Sequence, residues 1–202
     1  MNNENSALKI CRCSWLNISK PDYVKYHDEE WGVPLYDDQK LFEYLCLESA
    51  QAGLSWYTIL KRRDGYRAAF DNFDINIVAT YDQNKVEVLL QDVSIIRHRA
   101  KINAAINNAQ CFIDIQKEFG SFSAYMWQFV NNKTIVNSWN SGDNSPATSP
   151  ESDAWCKDLK QRGFKFVGPT ICYAHMQACG MVNDHNIDCY KRSQIINEYQ
   201  QI

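Results

Sequence analysis

The chain is expected to fold as an all-α protein, and three observations carry that expectation. No stretch of any length alternates apolar and polar residues as a half-buried strand would. Two long segments, 39–62 and 97–119, instead place apolar residues at helical spacing. Two pairs, Ser149-Pro150 and Gly168-Pro169, have the form of a helix cap followed by proline at the first helical position, where its missing N–H costs nothing.

At 202 residues the chain suits one domain, or two small lobes sharing a chain. Residues 1–9 read as a polar tail, 10–190 as the folded domain and 191–202 as a C-terminal tail. No apolar run approaches the roughly 20 residues a bilayer demands, and MNNENSALK has no signal-like core, so a cytoplasmic protein is expected. The eight cysteines then read as thiols or metal ligands rather than a disulfide framework. A formal net charge of −3 argues mildly against nucleic acid as a partner, unless basic residues gather on one face.

From Cys13 to Trp31, Trp15, Tyr26 and Trp31 crowd a short polar stretch; such density makes either a small core or a stacking surface. With Asp38 as cap, the next helix sets Leu41, Leu45, Glu48 and Ala52 on one inward stripe. Glu48 is the anomaly in that stripe. A carboxylate facing a core must be paired, hydrogen-bonded or neutralised, so Glu48 either meets an Arg or Lys of the chain or awaits a ligand. Gln51 follows one turn later, and Gly53 then interrupts the pattern before Leu54 and Trp56, as at the end of a pocket wall.

Asp64-Gly65 marks a turn, and helical spacing resumes through Val78, Val86, Leu89 and Leu90. In 97–119, Ile102, Ile106, Ala109 and Ile113 share a face, with Arg97, Arg99 and Lys101 at the start. That basic cluster is either a solvated face or a phosphate contact. A short aromatic helix, SFSAYMWQFV, precedes the polar loop 137–153. The helices begun at Ser149 and Gly168 flank a glycine-bounded turn, GFKFVG (163–168). Its free N–H groups and Lys165 suit an anion, although a plain helical hairpin satisfies the same pattern. Finally, His185 and Cys189 stand four apart, as two metal ligands on one helical turn would. Cys13 and His27 would complete a zinc set, with Cys11 competing for Cys13's place.

Taken together, RCSW (12–15), YHDEEWGVP (26–34), LFEYLCLESAQAGLSW (41–56), IIRHRAKI (95–102), RGFKFVGPTICY (162–173) and NDHNIDC (183–189) resemble the bacterial 3-methyladenine DNA glycosylase I family of the helix-hairpin-helix superfamily, in order and spacing. The resemblance implies an all-α two-lobed fold with a lesion pocket between the lobes and a hairpin that grips duplex DNA. It also implies one structural zinc held by Cys13, His27, His185 and Cys189, joining the N- and C-terminal segments. Glu48 would be the catalytic carboxylate that meets a cationic methylated purine, and Tyr26 and Trp56, with Trp15 and Gln51 nearby, would hold the base. Gly53 and Leu54 would form the wedge, and Lys165 and Gly168 the DNA contact. The expected partners are duplex DNA carrying alkylated adenine and free 3-methyladenine as product, with a monomer acting and no membrane involved.

Superfamily members carry a catalytic Asp after the hairpin; here Asn183 stands at that step, which fits a substrate whose positive charge already makes the base a good leaving group. The chain departs from the family pattern by one extra residue between Cys13 and His27, by Ser94 in place of glycine and by His175 in place of an aromatic. Two other readings compete: a non-catalytic zinc-pinned DNA-binding module, which would not need Glu48, Tyr26 and Trp56 together, and a zinc nucleobase deaminase, whose paired H-x-E and P-C-x-x-C pattern is absent.

Overall fold

The structure, a computed structural model, describes residues 10–143 and 145–199; the tail expected over 1–9 lies outside them. Among the described residues the fold is helical around one central helix, α2 (Asp38–Gln51). Every residue from Leu41 to Ala50 is buried, so α2 is enclosed on all sides rather than presenting one stripe, and Ala52 is exposed beyond its end. Its cap is Asp37, whose carboxylate accepts from the Lys40 N–H at 2.9 Å. Asp38, expected in that role, instead accepts from the Phe122 and Ser123 N–H groups and so starts another helix.

Before α2 lies α1 (Pro21–Glu29). After it the chain breaks at 52–55, where Gly53 takes φ +84°, and re-enters a helix at α3 (Trp56–Leu60), capped by Ser55. The single helix expected over 39–62 is therefore two. The predicted turn at Asp64-Gly65 is instead helical, inside α4 (Arg63–Ala69). Glycine is needed there for packing: a Cβ on Gly65 would come within 2.7 Å of the Ser94 Cβ and 3.0 Å of its carbonyl oxygen. Ser94, the departure noted above, thus rests against a helix that leaves it room.

Short helices α5 (Ile75–Val78) and α6 (Gln83–Gln91) lead to α7 (Arg99–Phe119), the longest among the described residues. Its buried face runs through Ile102, Ala105, Ala109 and Phe112 and includes Asn108, whereas Ile106 and Ile113 are only partly buried. The basic cluster at its start splits. Arg99 ion-pairs with Glu87 at 2.7 Å, and the Lys101 ammonium donates to the Ala50 and Ala52 carbonyl oxygens at the end of α2. A cation at a helix C-terminus is favoured by the unpaired carbonyls there.

α8 (Phe122–Trp127) follows. Strand β1 (Ile135–Val136) then pairs in parallel with β2 (Val182–Asn183), a correction to the expectation of no strand, although each is two residues long. α9 (Pro150–Gln161) opens with a full Ser149/Ser152 capping box, and α10 (Pro169–Ala178) opens at Gly168-Pro169, so both predicted starts hold. α11 (Tyr190–Tyr199) buries Ile195 completely, where a tail from 191 was expected. His175, on α10, is also fully buried; its ring lies 5.3 Å from that of Trp155, and burial pushes its pKa down to about 3, so it packs as a neutral aromatic. No helix among the described residues is long and apolar enough to cross a membrane.

The Gly65–Ser94 contact gives a direct test of packing. Gly65→Ala should lower stability by about 1–3 kcal/mol in denaturant titrations. Adding Ser94→Gly should recover part of the loss but not all, because the backbone oxygen still crowds the new methyl group.

Candidate active site and metal cluster

Glu48 projects from α2 into a cleft of about 540 Å³. Tyr26, Trp31 and Trp56 line it with Trp15, Tyr23 and Gln51, so every residue expected to hold the base is brought to one place. The rings form a connected set: Tyr26 and Trp56 have centroids 5.4 Å apart, Trp15 meets Trp31 edge-on at 4.9 Å, and Tyr23 stacks on Tyr26 at 6.3 Å. Two turns shape the segment between Cys13 and His27, in which the Leu16 N–H bonds to Cys13 O and the Lys20 N–H to Asn17 O. Trp15 is 39% exposed at the cleft mouth.

Glu48 itself is 5% exposed, and among the described residues it has no hydrogen-bond or ion-pair partner. Burial alone pushes its pKa up to about 8. The ion pair expected of a buried acid on α2 belongs instead to Glu43, which accepts from Arg63 at 2.6 Å and from Arg67 at 2.9 Å, and Arg63 also reaches Glu30. Tyr44 donates to Glu30 and stacks on Trp56 with centroids 6.5 Å apart, so this network backs the aromatic wall. The charges of α2 are thus divided: Glu43 is satisfied by the chain and Glu48 is left for something else.

Sequence patterns gave no hint of the opposite wall. It comes from Trp139, Gly142 and Ser145 of the polar loop, from Gln177 on α10 and from Asp184 and Asn186 beyond it. Asp184 organises it, accepting from Asn137 (2.6 Å), the Trp139 indole (2.9 Å), the Tyr173 hydroxyl (2.8 Å) and Gln177 (2.8 Å). Those four donors fill a carboxylate's acceptor positions, so Asp184 is a fastener, not a base. Asn183 is fully buried away from the cleft, its amide donating to Arg192 O. Only hydrogen-bond accounting with the loop in place reveals this wall, because a polar loop has no periodicity to read.

The DNA-directed expectations fall on two surfaces. Leu54 is 41% exposed beside Gly53, where a Cβ would meet nothing within 4 Å. The hairpin 163–168 is clasped from α7: Asn108 accepts from the Lys165 N–H at 2.8 Å and donates to Lys165 O at 2.9 Å, and Asn107 donates to Gly163 O. Ser49 of α2 donates to Phe166 O. The Lys165 N–H is therefore consumed within the protein. Those of Phe166, Val167 and Gly168 have no partner among the described residues. Of Lys61, Arg62, Arg63, Lys160, Arg162 and Lys165, the basic residues that could share a DNA-facing surface, Arg63 is committed to its buried network and Arg162 to Asp158 and Glu118.

Cys13, His27, His185 and Cys189 are all buried, and their ligand atoms lie within 4.8 Å of one another. His185 and Cys189 lie on an irregular turn before α11, not on the helical turn expected. Cys11 is exposed and bonds to Asp188, outside the cluster. The donor set fits a metal ion, because each imidazole turns one nitrogen toward the sulfurs while its other nitrogen is held: His27 Nδ1 by Asp28 at 2.7 Å and His185 Nε2 by Trp31 O at 2.9 Å. Arg12 in turn fixes Asp28 at 2.7 Å.

The partnerless carboxyl sets a pH dependence. Because folding raises the pKa of Glu48 from 4.5 to about 8, the folded state holds a proton that the unfolded chain releases. The associated stability is present below about pH 4.5 and is lost as pH rises through about 8. Glu48→Gln should abolish that decline and leave the ligand-free protein more stable at pH 8, by on the order of 2 kcal/mol in thermal or denaturant melts across pH 5–9.

A family model described as methyladenine glycosylase matches residues 15–192. DNA-3-methyladenine glycosylase 1 of Escherichia coli is 50% identical over 178 residues, covering 88% of this chain and 95% of that protein. The Haemophilus influenzae DNA-3-methyladenine glycosylase is 46% identical, over 88% of this chain and 96% of its own length. A solved structure, that of the Staphylococcus aureus 3-methyladenine DNA glycosylase I described in terms of its recognition of 3-methyladenine, superimposes with a TM-score of 0.86 at 37% identity, covering 90% of this chain and 96% of that one. With the match running through both halves of the cleft and all but one residue of the Cys/His cluster, the chain belongs to the methyladenine glycosylase family.

Proposed function

We infer that the protein is a DNA base-excision repair glycosylase that hydrolyses the bond between deoxyribose and 3-methyladenine and leaves an abasic site. The observation that carries this reading is Glu48: a buried carboxyl without a counter-ion, ringed by aromatic faces, in a cleft able to receive a base rotated out of the duplex. The relatives at 46–50% identity bear that activity in their names.

N3-methylation puts a positive charge on adenine, so the glycosidic bond is already weakened. When it breaks, the base keeps the electron pair and leaves neutral, and water adds to the sugar carbon and loses a proton. Glu48 supports this by releasing its proton to solvent as the cationic base enters, so that opposite charges meet in a low-dielectric site. Trp56 and Tyr26, with Trp15, Trp31 and Tyr23, offer π faces that favour a cationic ring, and Gln51 adds a polar contact. A neutral adenine receives none of the charge contribution. Leu54, carried at the tip beside Gly53, fills the gap left in the stack, and the hairpin with Lys165 and the Gly168 N–H grips the backbone. The cleft separates two lobes in this reading, and the protein works as a cytoplasmic monomer.

The metal is zinc in a closed structural site. Two thiolates and two imidazoles with no open position suit a tetrahedral zinc that holds the fold rather than one that activates water. It joins the segment bearing Trp15 and Trp31 to the segment after β2.

Incubating the protein with methylated duplex DNA should release free 3-methyladenine; DNA binding without release would leave a binding module instead. Glu48→Gln should lower the excision rate by about 30- to 1000-fold, equivalent to about 2–4 kcal/mol, while the protein stays folded. Loss of folding with normal activity per folded molecule would return Glu48 to a structural role.

The purified protein should carry about one zinc per chain by elemental analysis. Cys189→Ser should reduce zinc content and melting temperature together. An unchanged melt with no metal bound would remove zinc from this account.

A further inference from the structure

α7 is the element whose length and register the proposed activity has not yet used. Lys101 and Asn108 are seven residues apart, two helical turns or about 10.5 Å along the axis, and so lie on the same face. At the first position the Lys101 ammonium donates to Ala50 O and Ala52 O, both at 2.9 Å. Those carbonyls end α2 immediately before Gly53 and Leu54. At the second position Asn108, 2% exposed, closes a two-bond bracket on the backbone of Lys165, and Asn107 beside it takes Gly163 O. One helix therefore grips the loop carrying the exposed Leu54 with one side chain and the 163–168 hairpin with another, two turns on along the same face.

We propose that α7 acts as a ruler, in which Lys101 and Asn108 are positioning residues that fix the separation between the wedge at Leu54 and the phosphate-gripping hairpin. This rests on the glycosylase reading given above. The two DNA contacts must act on one duplex at once: the hairpin holds the backbone while the wedge enters the stack, so a fixed spacing decides whether the base is delivered to Glu48. Lys101 is committed to carbonyl oxygens and is not one of the charges that neutralise phosphate. The Asn108 bracket uses the Lys165 N–H and leaves the Phe166, Val167 and Gly168 N–H groups to face an anion. Ser49, next to Glu48, donates to Phe166 O and ties the hairpin to the helix that carries the pocket acid.

The two ends of the ruler have separable signatures. Lys101→Met keeps the aliphatic stem and removes the ammonium. It should leave affinity for an undamaged duplex within about twofold and its salt dependence unchanged, while lowering single-turnover excision at saturating enzyme by roughly tenfold or more; Lys101→Arg, which can donate to both carbonyls, should restore most of that rate. Asn108→Ala should weaken binding to every duplex by roughly threefold or more and flatten the salt dependence. Free 3-methyladenine should bind both variants as it binds the wild type, and that binding tests the pocket reading separately: its failure in the wild type removes the glycosylase reading on which the ruler rests, whereas normal binding beside unchanged excision in Lys101→Met removes the ruler alone. Lower affinity of Lys101→Met for all duplexes, with about one counter-ion fewer released, would make Lys101 a phosphate contact and overturn the proposal. Unchanged duplex affinity in a folded Asn108→Ala would overturn it from the other end. Should Asn108→Ala not fold, Asn107→Ala, which removes the Gly163 bond together with the contacts to Asn108 and Cys111 within α7 but leaves the Asn108 bracket on Lys165, should show the weaker form of the same loss, and normal duplex binding there would count against the ruler.

Discussion

An acid in a core without a counter-ion is an unstable arrangement, and much of this molecule can be understood as what it takes to keep Glu48 so placed. α2 has to be enclosed on every side, which requires α7, α8, α10 and α3 around it. Its other core acid, Glu43, has to be neutralised separately, and Arg63 and Arg67 do so from α4. The aromatic rings must then be held off Glu48 rather than collapsing on it. Tyr44 and the Arg63 network hold Trp56 from behind, while the Cys/His cluster holds Trp31 through its carbonyl oxygen. Stability is given up at one residue and recovered at its neighbours, a pattern expected where a site is kept ready for a charged ligand.

Some of this was legible in residue order alone. Glu48 stood out because a carboxylate occupied an apolar position, and both cap-plus-proline pairs marked true helix starts, since caps are local chemistry. The Cys/His set joins ends of the chain that no local rule connects: spacing pairs only His185 with Cys189, and Cys11 competes with Cys13 until the resemblance decides between them. Other features were misread for a common reason: a tertiary contact overrode a local signal. Asp64-Gly65 has turn composition, yet the glycine is helical because Ser94 needs the space. Periodicity assigned Ile106 and Ile113 to the buried face of α7, while the helix is rotated to bury Asn108, whose polar side chain is taken up by the hairpin backbone. Asp38 has the composition of a cap, but its carboxylate accepts from two first-turn N–H groups of α8, whose cap is Ser121, rather than from its own helix.

The loop at 137–149 shows the limit of pattern reading most clearly. Its residues are polar and aperiodic, which normally signals a connection on the surface. Here Asp184 gathers Asn137, Trp139, Tyr173 and Gln177, and Asn186 holds Ser14 and Asn140, so the connection becomes a wall of the cleft. A buried carboxylate with four neutral donors fixes geometry without needing apolar contact, and hydrophobic patterns are blind to it.

The Cys/His cluster also imposes an order of events on synthesis. Cys13 and His27 leave the ribosome well before His185 and Cys189, at a pace of about 5–20 residues per second. Until they emerge, the stretch bearing Trp15 and Trp31 has no partner for its thiol and imidazole, and the wall organised by Asp184 is missing as well. The central helix and its acid can be enclosed beforehand, but the cleft cannot. A nascent chain that has not yet yielded His185 and Cys189 therefore presents helices without an assembled place for a base.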